Sequence, residues 1–165
     1  MKGEIFYEEG VTSRKTQALF LSLAGQFTGM ALWSRKFPKR GLLSIISFFF
    51  ASFFLFYSLN YRKLRIRLTP EELNLKFGIF TWSIPVINIA TCRLDDLPLL
   101  MRMGGAGIHF MSIGNRYRAS LNFLEHPRVV VSLKKKLGPV QEISFSTRHP
   151  NEVIQLIQGA ITELV

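Results

Sequence analysis

Two long runs without a formal charge dominate the first third of the chain. Residues 16–34 read TQALFLSLAGQFTGMALWS, and residues 41–61 read GLLSIISFFFASFFLFYSLNY. At about 1.5 Å of rise per residue, each run can cross roughly 30 Å of hydrocarbon as a helix. The second run is dense in Phe, Leu and Ile. The first is diluted by Gln17 near one end and by Gln26 in the middle, where an amide needs a partner or a protein-facing position. The intervening SRKFPKR contains Pro38, which stops a continuous helix. The pattern therefore predicts a transmembrane helical hairpin over residues 16–61, preceded by a lead of residues 1–15. A secretory signal fits the first run poorly, because Glu4, Glu8 and Glu9 lie in its lead and no small-x-small cleavage site precedes Arg35 and Lys36.

Small residues recur at helical spacing in both runs. Ala18, Ser22, Gly25 and Gly29 form one stripe, and Ser44, Ser47, Ala51 and Ser58 form the other. In lipid such stripes let backbones approach closely, so they are the expected contact faces of the hairpin. Phe48, Phe49, Phe53 and Phe56 would then face lipid or a partner.

After residue 61 the period changes to two. Leu64, Ile66 and Leu68 alternate with Lys63, Arg65 and Arg67, the mark of a half-buried strand. Leu73, Leu75 and Phe77 continue the alternation after a Thr69-Pro70-Glu71 turn. Phe80–Pro85, 87–94, residues around 117–123, 129–133 and 143–145 read as further strands, with Gly107–Ile113 as another candidate. After His149, Pro150 opens a helix at the first helical position, and Val153, Ile154, Ile157, Ala160, Ile161 and Leu164 make one apolar face at 3.6-residue spacing. Seven or so short strands closed by a helix at 150–164 predict a small β-barrel domain over residues 62–165. The fold class expected is thus an α+β membrane protein.

The segments LTPEELNLKFGIFTWSIPVINI, PLLMRMGGAGIHF and ISFSTRHPNEVIQLI resemble the bacterial PH-like (pleckstrin-homology-like) domains attached to short membrane hairpins, and IFYEEGVTSRK is similar to the lead of such proteins. The resemblance implies a barrel plugged by its C-terminal helix and a membrane-associated, non-catalytic role. It does not imply phosphoinositide binding.

Composition changes the picture mainly through where the charge falls. The chain of 165 residues carries a formal +10 with a pI near 10.2 and a mean hydropathy of +0.21. Residues 1–67 hold 11 Lys/Arg against 3 Asp/Glu, whereas residues 68–165 hold 10 against 8. The basic excess therefore flanks the apolar runs, which argues for a membrane surface rather than nucleic acid. Base-stacking aromatics are not interleaved with the basic residues. Arg62, Lys63, Arg65 and Arg67 follow the second run and are candidates for contact with anionic headgroups, at about 1 kcal/mol each near the surface. Lys134, Lys135 and Lys136 precede Gly138-Pro139 and read as a solvated hairpin tip.

Lys and Arg counts also set orientation. Seven on the side of the termini (Lys2, Arg14, Lys15, Arg62, Lys63, Arg65, Arg67) stand against four in the loop (Arg35, Lys36, Lys39, Arg40). The excess places the protein in the cell membrane as a multi-pass chain with a cytoplasmic domain. A first run that failed to cross would instead put the basic loop in the cytoplasm and the domain outside.

No catalytic, cofactor or metal constellation is legible. His109, His126 and His149 lack ligand spacing, Cys92 is alone, and Asp95-Asp96, Glu8-Glu9 and Glu71-Glu72 read as solvated turns. Gly104, Gly105 and Gly107 read as a glycine-rich bend entering a strand rather than a phosphate cradle, which would feed a helix. The expected role is a non-enzymatic interaction or scaffold module, with membrane lipids and a protein partner or a second copy as its contacts. The alternative is an accessory subunit of a transporter or envelope enzyme.

Overall fold

The computed structural model describes residues 5–37, 40–95 and 106–163. Its elements, in chain order, are β1 (Tyr7–Thr12), α1 (Arg14–Ser34), α2 (Gly41–Asn60), β2 (Lys63–Leu68), β3 (Glu72–Phe77), β4 (Phe80–Pro85), β5 (Ile89–Leu94), β6 (Gly107–Ile113), β7 (Arg116–Asn122), β8 (Arg128–Leu137), β9 (Val140–Ser146) and α3 (Pro150–Glu163).

The strands form two sheets, not one closed barrel. The first has the order β1-β2-β3-β4 and the second β5-β8-β9-β7-β6. The break falls at Pro85, which has no N–H to give to a ladder. The 3₁₀ turn Val86–Asn88 follows it and redirects the chain before β5 begins. The two sheets instead share one apolar core. Leu64, Ile66, Leu68, Leu73, Leu75, Phe77 and Ile84 of the first meet Ile89, Leu121, Phe123, Val129, Val131, Ile143 and Phe145 of the second. Helix α3 closes one side by burying Val153, Ile157 and Ala160.

The first sheet begins inside the expected lead. Residues 7–12 pair antiparallel with β2, and Thr12 lies directly opposite Lys63. Val11 is wholly buried. Glu9 accepts hydrogen bonds from the Tyr7 hydroxyl (2.9 Å), the Thr147 hydroxyl and the Arg148 backbone N–H (3.0 Å). The N-terminal strand is thereby tied to the root of α3. Helices α1 and α2 form an insertion between two neighbouring, register-paired strands, and the β domain is discontinuous in sequence.

Of the two helices, α2 alone is long and apolar enough to cross a membrane. The expectation of two helices that each qualify as a transmembrane span is corrected: a strand precedes α1, and the Gln, Ser, Thr and Gly content of α1 leaves it below the hydropathy of a span in its own right, so that it runs back along α2 as the packed partner that lets Thr12 return to Lys63. Ser13 caps α1 through its hydroxyl, which accepts from Thr16 N–H at 3.0 Å.

Helix α2 buries Ser44, Ser47, Ala51 and Ser58, which is the expected small-residue stripe. Helix α1 does not use its own stripe. Its buried residues are Thr16, Phe20, Ala24, Ala31 and Ser34, while Ala18, Ser22, Gly25 and Gly29 are exposed. A Cβ added at Gly25 or Gly29 would meet nothing within 4 Å. The contact is filled instead by aromatic rings that small residues could not replace. Phe27 stacks on Phe50 and Phe54 at 5.3 and 5.6 Å, and Phe20 packs on Tyr57 at 5.4 Å. One hydrogen bond crosses the pair, from the Ser44 hydroxyl to the Ala31 carbonyl at 3.0 Å.

Candidate functional site at the root and outer face of the first sheet

All four strands of the first sheet have one end at the helix root. Strand β1 ends at Thr12, β2 starts at Lys63, and Phe77 and Phe80 flank the β3–β4 turn opposite Leu64. The aromatic rings of Tyr57, Tyr61 and Phe77 follow one another at 4.5 and 5.2 Å, from the last turn of α2 into the core. Helix and sheet are thus joined by packing as well as by chain.

The outer face of this sheet is basic. Lys63, Arg65 and Arg67 are exposed, as expected of the polar half of an alternating strand, and Arg62 is exposed just before them. Asn74 and Lys76 lie beside them on β3. Glu8, Arg65, Arg67, Asn74 and Lys76 line a shallow depression of about 170 Å³. The charges are not equivalent. Arg67 is partnered by Glu8 at 3.6 Å, an exposed pair of little energetic weight that nonetheless offsets its charge. Arg67 also lies four residues up the strand from Lys63, about 13 Å farther from the helix end.

At the opposite end of the helices, Arg40 sits 4.9 Å from the ring centroids of both Trp33 and Phe37. Aromatic and basic side chains therefore mark both ends of α2, the distribution expected at the two interfaces of a bilayer. Between them Phe48, Phe49, Phe53 and Phe56 are exposed along α2. Beside them lies an open groove of about 410 Å³ lined by Leu21, Ala24, Gly25, Thr28, Phe48, Ala51, Ser52 and Leu55.

The glycine-rich bend is seen only in part, because Gly104 and Gly105 lie outside the described residues. Gly107 has φ +93°, and a Cβ there would come within 2.9 Å of the Tyr57 ring. Its lack of a side chain lets β6 pass under α2.

A second polar cluster was not legible in the sequence. Glu142 and Arg118, 2% and 3% exposed at the side chain, face each other across the β7–β9 pair. Arg118 donates through Nε and Nη2 to Glu142 Oε2 (3.0 and 2.6 Å) and through Nη1 to Asp95 Oδ1 (3.0 Å). Arg116 and Ser132 donate to Glu142 Oε1 at 3.0 and 3.1 Å, and Arg93 stands 3.5 Å away. Burial by itself would raise the Glu142 pKa. The hydrogen bonds and charges of Arg118 and Arg116 outweigh it and hold the carboxyl below its ordinary value. With donors from β7 and β8 and the charge of Arg93 from β5, this carboxylate works as a strut across the second sheet.

The remaining chemistry-bearing residues stand apart. His109 is a half-buried member of β6; burial first, and the charge of Arg128 second, lower its pKa, so it is neutral at pH 7. His126 Nε2 lies 3.0 Å from the Thr12 carbonyl oxygen. Burial pushes the Cys92 thiol up to about 12. Among the described residues, no three His, Cys, Asp or Glu side chains are grouped to hold a metal ion. Lys134, Lys135 and Lys136 are exposed in the second half of β8, within the stretch where its pairing with β9 is irregular. Comparison with protein-family models, curated proteins and solved structures finds no match.

Proposed function

We propose that this chain is a membrane-anchored, non-catalytic interaction module that presents a β domain at the cytoplasmic face of the cell membrane. The observation that carries the reading is the placement of the helices between Thr12 and Lys63, opposite residues of one ladder. An anchor attached through two paired strands fixes the domain's attitude to the bilayer in a way a single flexible tether would not. A module that presents one surface to its partners uses that property. Arg62 and Lys63, nearest the end of α2, lie within a Debye length of about 8 Å of anionic headgroups, while Arg65 and Arg67 lie progressively farther up the strand. Kinship with the bacterial PH-like domains rests on the sequence segments alone and does not include a closed barrel.

A second reading, an accessory subunit of a transporter or envelope enzyme, is favoured by the exposed Phe48, Phe49 and Phe56 of α2, which offer a helical docking surface. Capture of the tagged full chain from gently solubilised membranes separates the two. Soluble or peripheral partners at fixed stoichiometry support the module. A multi-span transporter or enzyme that is lost on Phe49→Ala supports the subunit. Release of the chain from membranes by alkaline carbonate overturns both.

A further inference from the structure

The β3–β4 turn is a two-residue connection, Gly78-Ile79, between Phe77 and Phe80. Gly78 has φ +61°, the first-position conformation of the hairpin turns that suit strand twist. The side chains it presents are unusual for a turn. Ile79 is 65% exposed and Phe80 is 45% exposed, where polar residues are the rule.

Its position is fixed by two independent contacts. The ladder places Phe77 opposite Leu64, so Gly78 and Ile79 project past Lys63 toward the end of α2. A Cβ added at Gly78 would lie 2.7 Å from the Tyr61 ring and 2.9 Å from the Asn60 carbonyl oxygen. The turn therefore rests against the last residues of the helix, at their own level. The 20 residues of α2 are about 30 Å long, the thickness of the hydrocarbon layer, so its last turn marks the boundary between acyl chains and headgroups. An apolar tip held at that level meets lipid rather than water.

We propose that Ile79 and Phe80 form a wedge that inserts into the acyl–headgroup boundary of the same bilayer that α2 enters. The inference rests on the anchoring role of α2 and adds a second, non-helical membrane contact. The wedge enters the apolar boundary while Arg62, Lys63 and Lys76 remain at headgroup level, the division of labour seen in interfacial binding elements. Together α2 and the turn give two points of attachment and so restrict rotation of the domain about the helix axis.

The test uses the full chain with Cys92→Ala, reconstituted in vesicles of phosphatidylcholine and phosphatidylglycerol in a three-to-one ratio. Single cysteines are placed by Ile79→Cys, Ile87→Cys and Phe49→Cys and labelled with an environment-sensitive fluorophore. Ile87 is 66% exposed but sits just beyond Pro85, at the end of the first sheet away from the helices, and is the matched control. Quenching is read with lipids carrying a nitroxide near the glycerol or near the chain end. The expected result is loss of most emission at position 79 with the shallow quencher, at position 49 with the deep quencher, and none at position 87. Quenching at 49 with position 79 no more quenched than position 87 overturns the wedge and leaves the anchor standing. No quenching at position 49 overturns the anchor and the wedge together.

Discussion

Cutting this protein down to its β domain requires keeping β1. Thr12 and Lys63 face each other, so residues 13–62 can be removed and replaced by Asn-Gly, the two-residue turn whose backbone matches strand twist. A fragment starting at residue 62 lacks β1. Both shortened chains lack Tyr61, so the comparison isolates the strand. What the fragment loses is the fully buried Val11, worth about 1.5–3 kcal/mol, and the two hydrogen bonds that Glu9 accepts from Thr147 and Arg148, about 1.5–3 kcal/mol each because one partner is charged. The low ends alone sum to about 4–5 kcal/mol before any ladder hydrogen bond is counted. That is a large share of the ~5–15 kcal/mol that stabilises a typical domain. The assay is urea unfolding followed by circular dichroism, with gel filtration for self-association through the bared edge of β2. With a slope of about 1–3 kcal/mol per molar, the fragment's midpoint should fall by roughly 1.5–5 M relative to the loop-closed chain, or the fragment should aggregate outright. Equal midpoints for the two chains would refute the view that β1 is integral to the sheet.

Three further outcomes follow from the packing. Glu142→Gln should destabilise the full chain by about 3–5 kcal/mol, because Arg118 is left with Asp95 alone and Arg116 and Ser132 lose an ionised acceptor. Since the folded pKa of Glu142 is lowered, the wild-type advantage over Glu142→Gln should be full above its ordinary value of 4.5 and shrink as pH falls through the lower folded value; pH-dependent unfolding curves check this. Gly25→Ala and Gly29→Ala should be neutral or stabilising by up to about 1 kcal/mol in detergent thermal shifts, whereas Ala51→Leu should destabilise by about 1–3 kcal/mol through overpacking of the α1–α2 contact. Cys92 should resist maleimide at pH 8 in the folded protein and react on unfolding, as mass spectrometry would show, because burial keeps it in the thiol form.

Alternation was a sound guide wherever one face of a strand is wet. Leu64, Ile66 and Leu68 are buried and Lys63, Arg65 and Arg67 exposed, as their pattern predicts. It misled where both faces are covered. Arg118, Ser120, Asn122, Glu142, Ser144 and Ser146 occupy the positions that alternation assigns to solvent, yet they are buried. They tolerate burial through charge pairing such as Arg118 with Glu142, across 24 residues of sequence, which no local pattern reveals. Strand β1 was hidden for a related reason. Its inward positions are Tyr7, Glu9 and Val11, and Glu9 breaks the apolar alternation because its partners lie about 138 residues away. Along α1 the stripe of small residues marks an exposed face, whereas Phe20, Ala24, Phe27 and Ala31, which carry no such regular small-residue spacing, form the face that meets α2. The basic root of the first sheet was readable from charge alone. The apolar turn beside it was not, because its significance depends on lying against Asn60 and Tyr61.

Threading the helices between two paired strands also orders events during synthesis. Strand β1 leaves the ribosome before β2 and has no partner until β2 appears more than fifty residues later. At about 5–20 residues per second that interval is roughly 3–10 s, ample time for α1 and α2 to pair. A nascent chain whose helices are misplaced cannot bring Thr12 beside Lys63. Glu9 must wait longer still, for Thr147 and Arg148, 138 and 139 residues farther along the chain. Closure of β1 onto the sheet thus acts as a late checkpoint that is passed only when α1 and α2 have paired, and a chain that fails it presents the open edge of β2.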